Sequence, residues 1–224
     1  MSWSSLTEFL RPHKTIPRTL WTSDGRWDLN LSRVAILFTG LFIFGLGDAL
    51  LIQSNIGNTP WSVLAQGVSQ RFDFSLGWST FIVSGAVLIA WIPLRERPGF
   101  GTISNLIIIA VAIEIGVTFI PIQSNFFAGL LFCFLGIGII GVATSLYITC
   151  GLGPGPRDGL MTGLHKRTGV RVGRIRLGIE AGAVAIGALL GGNVGLGTLL
   201  FALLIGQSVA VALGVVGHFP PSNR

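Results

Sequence analysis

Residues 56–72 read IGNTPWSVLAQGVSQRF, and residues 152–168 read LGPGPRDGLMTGLHKRT. Each stretch opens on Gly-x-x-Pro, with Gly57 and Pro60 in the first and Gly153 and Pro156 in the second. Each then continues as a short helical pattern. The proline suits the first helical turn, where a missing N–H costs no intrahelical bond. A shift of 96 residues superimposes the two stretches without a gap. The same shift lays Phe38 on Phe134, Gly45 on Gly141, Gly77 on Gly173, and Gly99-x-Gly101-Thr102 on Gly195-x-Gly197-Thr198. It yields 17 identities over the 76 positions from 38 to 113, including both motifs at one offset with no insertion. The chain is read as an internal duplication.

Around these stretches the sequence is apolar. Half of the 224 residues are hydrophobic and 24 are charged, which is too few to coat a soluble domain of this size. Mean hydropathy is +0.74. Apolar runs at 34–54, 75–93, 102–120, 126–149, 173–190 and 196–216 are each near the ~20 residues that a bilayer core requires. The expected fold is therefore an all-α polytopic membrane protein. Six transmembrane helices form two three-helix repeats, each with a short Gly-x-x-Pro helix that is re-entrant or interfacial. Residues 1–33 read as a basic arm, 34–120 as the first repeat, 121–216 as the second and 217–224 as a tail.

Three spans per repeat is an odd number, so the second repeat is expected to be inverted. Charge gives an independent test. With the N-terminus inside, 14 of the 15 Lys and Arg residues fall in inner segments and Arg71 alone falls outside. The net charge of +6 thus reads as membrane orientation, and nucleic acid is not an expected partner. No apolar run precedes Val34, so the N-terminus is not a cleavable signal. Trp3, Trp21 and Trp27 suggest an arm lying on the membrane surface, and Trp61, Trp78 and Trp91 read as interfacial belt residues. Cys133 and Cys150 are placed about 25 Å apart along one helix at 1.5 Å per residue, too far for a disulfide.

Inverted repeats build many transporters, with substrate near the midplane at broken helices. If both Gly-x-x-Pro segments dip into the membrane, two helix N-termini face each other there. Their partial positive charge and free N–H groups suit an anion or a polar solute. The nearby polar residues are Asn55, Asn58, Thr59 and Ser62 in the first copy, and Arg157 and Asp158 in the second. The competing reading is a pair of surface helices with Gly and Pro as turn formers. The Gly-x-Gly-Thr motifs read as structural, with the Thr capping a helix and the glycines allowing close approach.

Three acids fall inside spans: Asp48, Glu114 and Glu180. An acid in hydrocarbon faces a bundle interior or wet cavity, so a proton or cation relay is the functional reading. Against it, Glu180 lies four residues after Arg176 and can pair with it. Asp48 can bond to the neighbouring segment, while Glu114 has no partner nearby in sequence. No catalytic triad, metal-ligand spacing or cofactor motif is present.

At GNTPWSVLAQGVS (57–69), GFGTISN (99–105), GPGPRDGLMTGL (153–164), RIRLGIE (174–180) and LLGGNVGLGTLLFALLIG (189–206), the sequence resembles the bacterial YczE/YyaS/YitT family of integral membrane proteins, specifically its YczE-like branch. Gln207-Ser208 departs from the proline that relatives carry after this last stretch. The resemblance implies a multi-pass protein of the bacterial cytoplasmic membrane without supplying a substrate. It also puts Arg157, Asp158, Arg176 and Glu180 in family motifs. The expected function is a transporter or channel for a small polar or charged solute. The alternative is an accessory membrane protein supporting export or a membrane-associated biosynthetic system. The expected partners are the lipid bilayer and the solute, and the Gly-rich helices would permit a homodimer.

Overall fold

The computed structural model describes residues 15–219; Trp3, Arg11, Lys14 and Arg224 lie outside them. Among the described residues, regular structure is all helical: α1 (Leu31–Gln53), α2 (Pro60–Phe72), α3 (Leu76–Ile89), α4 (Trp91–Leu94), α5 (Phe100–Phe119), α6 (Phe126–Thr149), α7 (Pro156–Thr168), α8 (Val172–Leu189) and α9 (Leu196–Val216). Five stretches are long and apolar enough to cross a membrane: α1, Leu76–Leu94 (α3 with α4), α5, α6 and α9. The expected span at 173–190 is helical as α8, but Arg174, Arg176 and Glu180 leave it too charged to join that set. The chain is an α-helical polytopic membrane protein. The helix starts at 60, 76 and 100 recur at 156, 172 and 196, each 96 residues on.

Local chemistry explains these starts. Asn30, Thr59, Ser75 and Asn125 each accept a backbone N–H from the first turn of the helix that follows. Pro60 and Pro156 stand in the first turns of α2 and α7, as their spacing predicts. At Gly99 and Gly195 the cap comes from inside the helix. Thr102 Oγ1 accepts the Gly99 N–H at 3.1 Å, and Thr198 Oγ1 accepts the Gly195 N–H at 3.3 Å.

α1 and α6 form the central pair, flanked by α5 on α1 and α9 on α6. Gly47 faces the Gly136 carbonyl so closely that a Cβ at either residue would press on the other helix. Close backbone approach gains the dispersion contacts that drive helix association in lipid. One end of the bundle gathers the start of α1, α4, the start of α5 and the ends of α6 and α7. There Lys166 pairs with Glu96 at 2.6 Å, and Phe38 stacks on Phe100. The opposite end gathers the ends of α1 and α5 and the starts of α6 and α9. There the Gln53 side chain donates to the Val117 and Ile120 carbonyls at 2.7 and 2.8 Å.

The described part of the N-terminal arm is a strap across the first end. Leu20 N–H donates to the Phe219 carbonyl at 3.2 Å, and Ser23 N–H to the Cys150 carbonyl at 3.0 Å. The Trp21 indole N–H donates to Thr149 Oγ1 at 3.0 Å, so this tryptophan is anchored to the bundle rather than free on a membrane surface. Arg33 pairs with Asp28 at 2.7 Å and holds that carboxyl below the usual carboxylate range. Cys133 and Cys150 are buried, free thiols.

Candidate functional site

The loops that precede α2 and α7 are drawn inward by reciprocal contacts. Gly197 N–H donates to the Ile56 carbonyl at 2.8 Å, and Gly101 N–H donates to the Leu152 carbonyl at 2.8 Å. Adding 96 to Ile56 and Gly101 gives Leu152 and Gly197, so each loop lands on the last helix of the other half. Gly57 and Gly153 hold φ of +124° and +112°, and a Cβ on either would strike the backbone of Gly195 or Gly99 respectively. Thr102 Oγ1 also donates to the Pro154 carbonyl at 2.7 Å. The Gly-x-Gly-Thr motifs are therefore docking surfaces for the Gly-x-x-Pro loops.

Docked this way, α2 and α7 begin inside the bundle. Asp48 is fully buried against the start of α2, accepting from Thr59 Oγ1 at 3.2 Å and Ser62 Oγ at 2.8 Å. The start of α7 is held by Trp91, whose indole N–H donates to the Pro156 carbonyl at 2.8 Å. Tyr147 donates its hydroxyl to Asp158 Oδ2 at 3.3 Å. The two helix starts meet each other: the Arg157 guanidinium carbon lies 5.0 Å from the centre of the Trp61 ring. Such a cation–π contact strengthens as water is excluded. Among the acidic groups, Asp48 and Asp158 act most strongly on the Arg157 charge.

Beside this junction is a cavity of about 480 Å³. Its polar wall carries Thr59, Trp61, Asn105, Tyr147, Arg157, Asp158, Arg176 and Glu180. Phe44, Ile140, Phe201, Ile205 and Leu213 supply apolar wall. Arg176 Nε donates to Glu180 Oε1 at 2.8 Å, so this i, i+4 pair forms and also faces the cavity. The first ladder bond of α7 runs from Gly159 N–H to the Gly155 carbonyl at 3.0 Å. The N–H groups before it, and those at the start of α2, carry the partial positive charge of helix N-termini. Among the described residues no three His, Cys, Asp or Glu come together as a metal site.

The residues singled out from sequence divide clearly. Arg157, Asp158 and Glu180 line the cavity together with Pro156, and Asp48 supports it from behind Thr59. Asn58 is buried but lies off the cavity, its Nδ2 donating to Gln66 Oε1 at 2.8 Å. Asn55 is exposed at φ +58° and serves the turn after α1. Glu114 stands apart from the cavity and has a partner after all, accepting the Gly77 N–H at 2.7 Å. Trp61 and Trp91 are buried at the two helix starts rather than at an interface, and Trp78 alone of these three is exposed. Nothing in local spacing marks Tyr147 or Asn105, because neither belongs to a Gly-x-x-Pro segment or carries a charge. The signal for Trp61 was present: at the offset of 96 it is the counterpart of Arg157.

Residues 31–213, which contain both docked loops and the cavity, match the model of a family of unknown function, DUF6198. The chain belongs to this family. An uncharacterized protein of Haemophilus influenzae is 41% identical over 207 residues, 92% of this chain and 95% of the relative. The uncharacterized membrane protein YczE of Bacillus subtilis is 33% identical over 185 residues, 81% of this chain and 85% of YczE. The uncharacterized protein YyaS of the same bacterium is 28% identical over 193 residues, 83% of this chain and 94% of YyaS. No solved structure matches the chain. The resemblance read from the PRDGLM and Gly-x-Gly-Thr stretches is thus a true relationship, and this DUF6198 protein is a membrane protein like YczE.

Proposed function

We propose that the chain is a transporter or channel for a small polar or charged solute, with its site in the cavity where α2 and α7 begin. The observation that carries this reading is the approach of Arg157 to Trp61, which brings two helix N-termini together beside a half-open, partly charged cavity. Helix N-termini and an arginine favour a negatively charged or strongly polar group on the solute. The apolar wall accommodates its body.

In this reading α8 is the sixth membrane crossing, its charges accommodated by the Arg176–Glu180 pair, which is turned to the cavity. The two halves are inverted repeats, and α2 and α7 are re-entrant helices. The reciprocal Ile56–Gly197 and Leu152–Gly101 bonds support this, because an exact exchange of partners at a common offset is what a two-fold relation between halves produces. Both termini are cytoplasmic in the proposed orientation. The end that holds Arg33, Arg95 and Lys166 is then the cytoplasmic end, in accord with the positive-inside rule.

The test is cysteine accessibility in membranes at Thr59 and Gly155, on a background with Cys133 and Cys150 replaced by Ala. Impermeant thiol reagents are applied from each side, alone and with a panel of small anions, zwitterions and neutral solutes. Labelling of both positions, with protection by one solute class, supports a pathway. Absence of labelling at both positions, or labelling insensitive to every solute, removes the transport reading and returns the accessory role.

A further inference from the structure

The two halves differ at one seam. In the first half α3 packs along α5, and Gly77 is pressed so tightly there that a Cβ would lie 2.7 Å from the Ala110 carbonyl oxygen and 2.8 Å from Glu114 Cβ. The Gly77 N–H donates to Glu114 Oε2 at 2.7 Å, placing a carboxylate at the start of α3. Shifting these three residues by 96 gives Gly173, Gly206 and Ala210. Neither Gly173 nor Gly206 has any atom within 4 Å of its Cβ position. α8 packs on α2 and α7, and the space along α9 where it would mirror the α3–α5 seam is occupied by the cavity, which Gly206 and Ala210 line. One seam is shut and its counterpart is open.

We infer that these two seams are alternating gates, and that the Glu114–Gly77 bond is the latch on the gate that is closed here. In the second state α3 leaves α5, and α8 closes on α9 with Gly173 against Gly206 and Ala210. The inference rests on the transport reading and assigns its moving parts. The physical case is that Gly173 and Gly206 are already bare of side chain where two helices would have to approach as closely as α3 and α5 do. The latch is one-sided: Glu114 has a neutral counterpart in Ala210, so the α8–α9 seam closes without an equivalent bond. A bistable element of this kind responds to a single hydrogen bond, because it is the difference between states that the bond shifts.

The experiment uses full-length protein in membranes, again lacking Cys133 and Cys150. The pair Gly173→Cys and Ala210→Cys probes closure of the open seam by disulfide formation, which needs Cβ atoms roughly 3.5–4.5 Å apart. Thr80→Cys, on the same face of α3 as Gly77 and buried, probes opening of the shut seam by an impermeant thiol reagent. Glu114→Ala should raise both the disulfide yield and Thr80→Cys labelling by about tenfold, the population shift that follows from losing one hydrogen bond to a charged group. Glu114→Gln, which keeps an acceptor, should lie between. A merely structural Glu114 would disturb α3 without altering the Gly173–Ala210 disulfide in the other half. A disulfide yield that is unchanged by Glu114→Ala, or no disulfide at all, overturns the gates. Solute-protected labelling at Thr59 and Gly155 with no such disulfide would keep the pathway and discard alternating closure. Movement without solute protection would do the reverse.

Discussion

Arg157 lies over Trp61, and each is the second residue of a helix that begins inside the bundle. They are separated by 96 residues, the offset at which the chain repeats, so the contact joins one position to its own copy. The two loops differ in chemistry while keeping corresponding places: the aromatic face of Trp61 meets the cation of Arg157. Behind Trp61 stand Val83 of α3 and Ala183 of α8, so the junction also ties together the helices whose seams are unequal.

Asp48 should be a stabilising residue. Asp48→Leu leaves the Thr59 and Ser62 hydroxyls without their buried acceptor, at a cost of about 1–3 kcal/mol. Thermal unfolding in detergent should show a midpoint several degrees lower, with Asp48→Asn less affected. Equal midpoints for all three proteins would mean that the bonds contribute nothing.

The docking glycines should not tolerate a methyl group. Gly57→Ala and Gly153→Ala place a Cβ at positive φ and against the opposing Gly195 or Gly99 backbone, so each should lower the yield of folded protein and its stability by at least ~1–3 kcal/mol. Gly138→Ala, where the added carbon meets nothing within 4 Å, is the matched control and should be neutral or slightly stabilising. Size-exclusion profiles of the three variants in detergent decide the matter.

Gly159 is where the Trp91 ring lies against α7, and a Cβ there would overlap the ring. Gly159→Ala should therefore destabilise by about 1–3 kcal/mol through overpacking. Combining it with Trp91→Leu should cost less than the sum of the two single changes, since the smaller side chain clears the space. Additive losses in a double-mutant cycle would place the effect elsewhere.

Cys150, at the end of α6, has its thiol pushed up to about 12 by burial, with Arg33 pulling weakly the other way. A raised thiol pKa means that the protonated, unreactive form persists to higher pH. Alkylation by iodoacetamide in the folded protein should stay slow at pH 9, where an exposed cysteine is largely thiolate, and should become fast on denaturation. Rapid modification at pH 9 without unfolding would show that the strap from Ser23 to Trp21 does not cover this end.

The sequence carried much of the architecture. Spans at 126–149 and 196–216 coincide with α6 and α9, and the others agree within a few residues, because each is a predominantly apolar run with Gly, Pro or Asn at or beside its end. α8 was legible as a helix, but its three charged residues separate it from the five plainly apolar stretches. Of the site, Arg157, Asp158, Glu180 and Asp48 were legible because polar groups in apolar sequence need a destination. Glu114 was misleading for the same reason: its destination was the N–H of Gly77, 37 residues away and invisible to local spacing.

By itself, then, the sequence determined a helical membrane protein whose motifs recur at an offset of 96, with two Gly-x-x-Pro helices and basic residues gathered in a few segments. Those properties are written in composition and in spacings of a few residues, where apolar length and backbone sterics act locally. Only the tertiary structure decided that each Gly-x-x-Pro loop docks on the other half's Gly-x-Gly-Thr turn, that Trp61 and Trp91 are buried at helix starts, and that one seam is shut while its copy stands open. Packing makes those choices, because each depends on which surfaces meet across the bundle, and two copies of one local pattern can meet their surroundings differently.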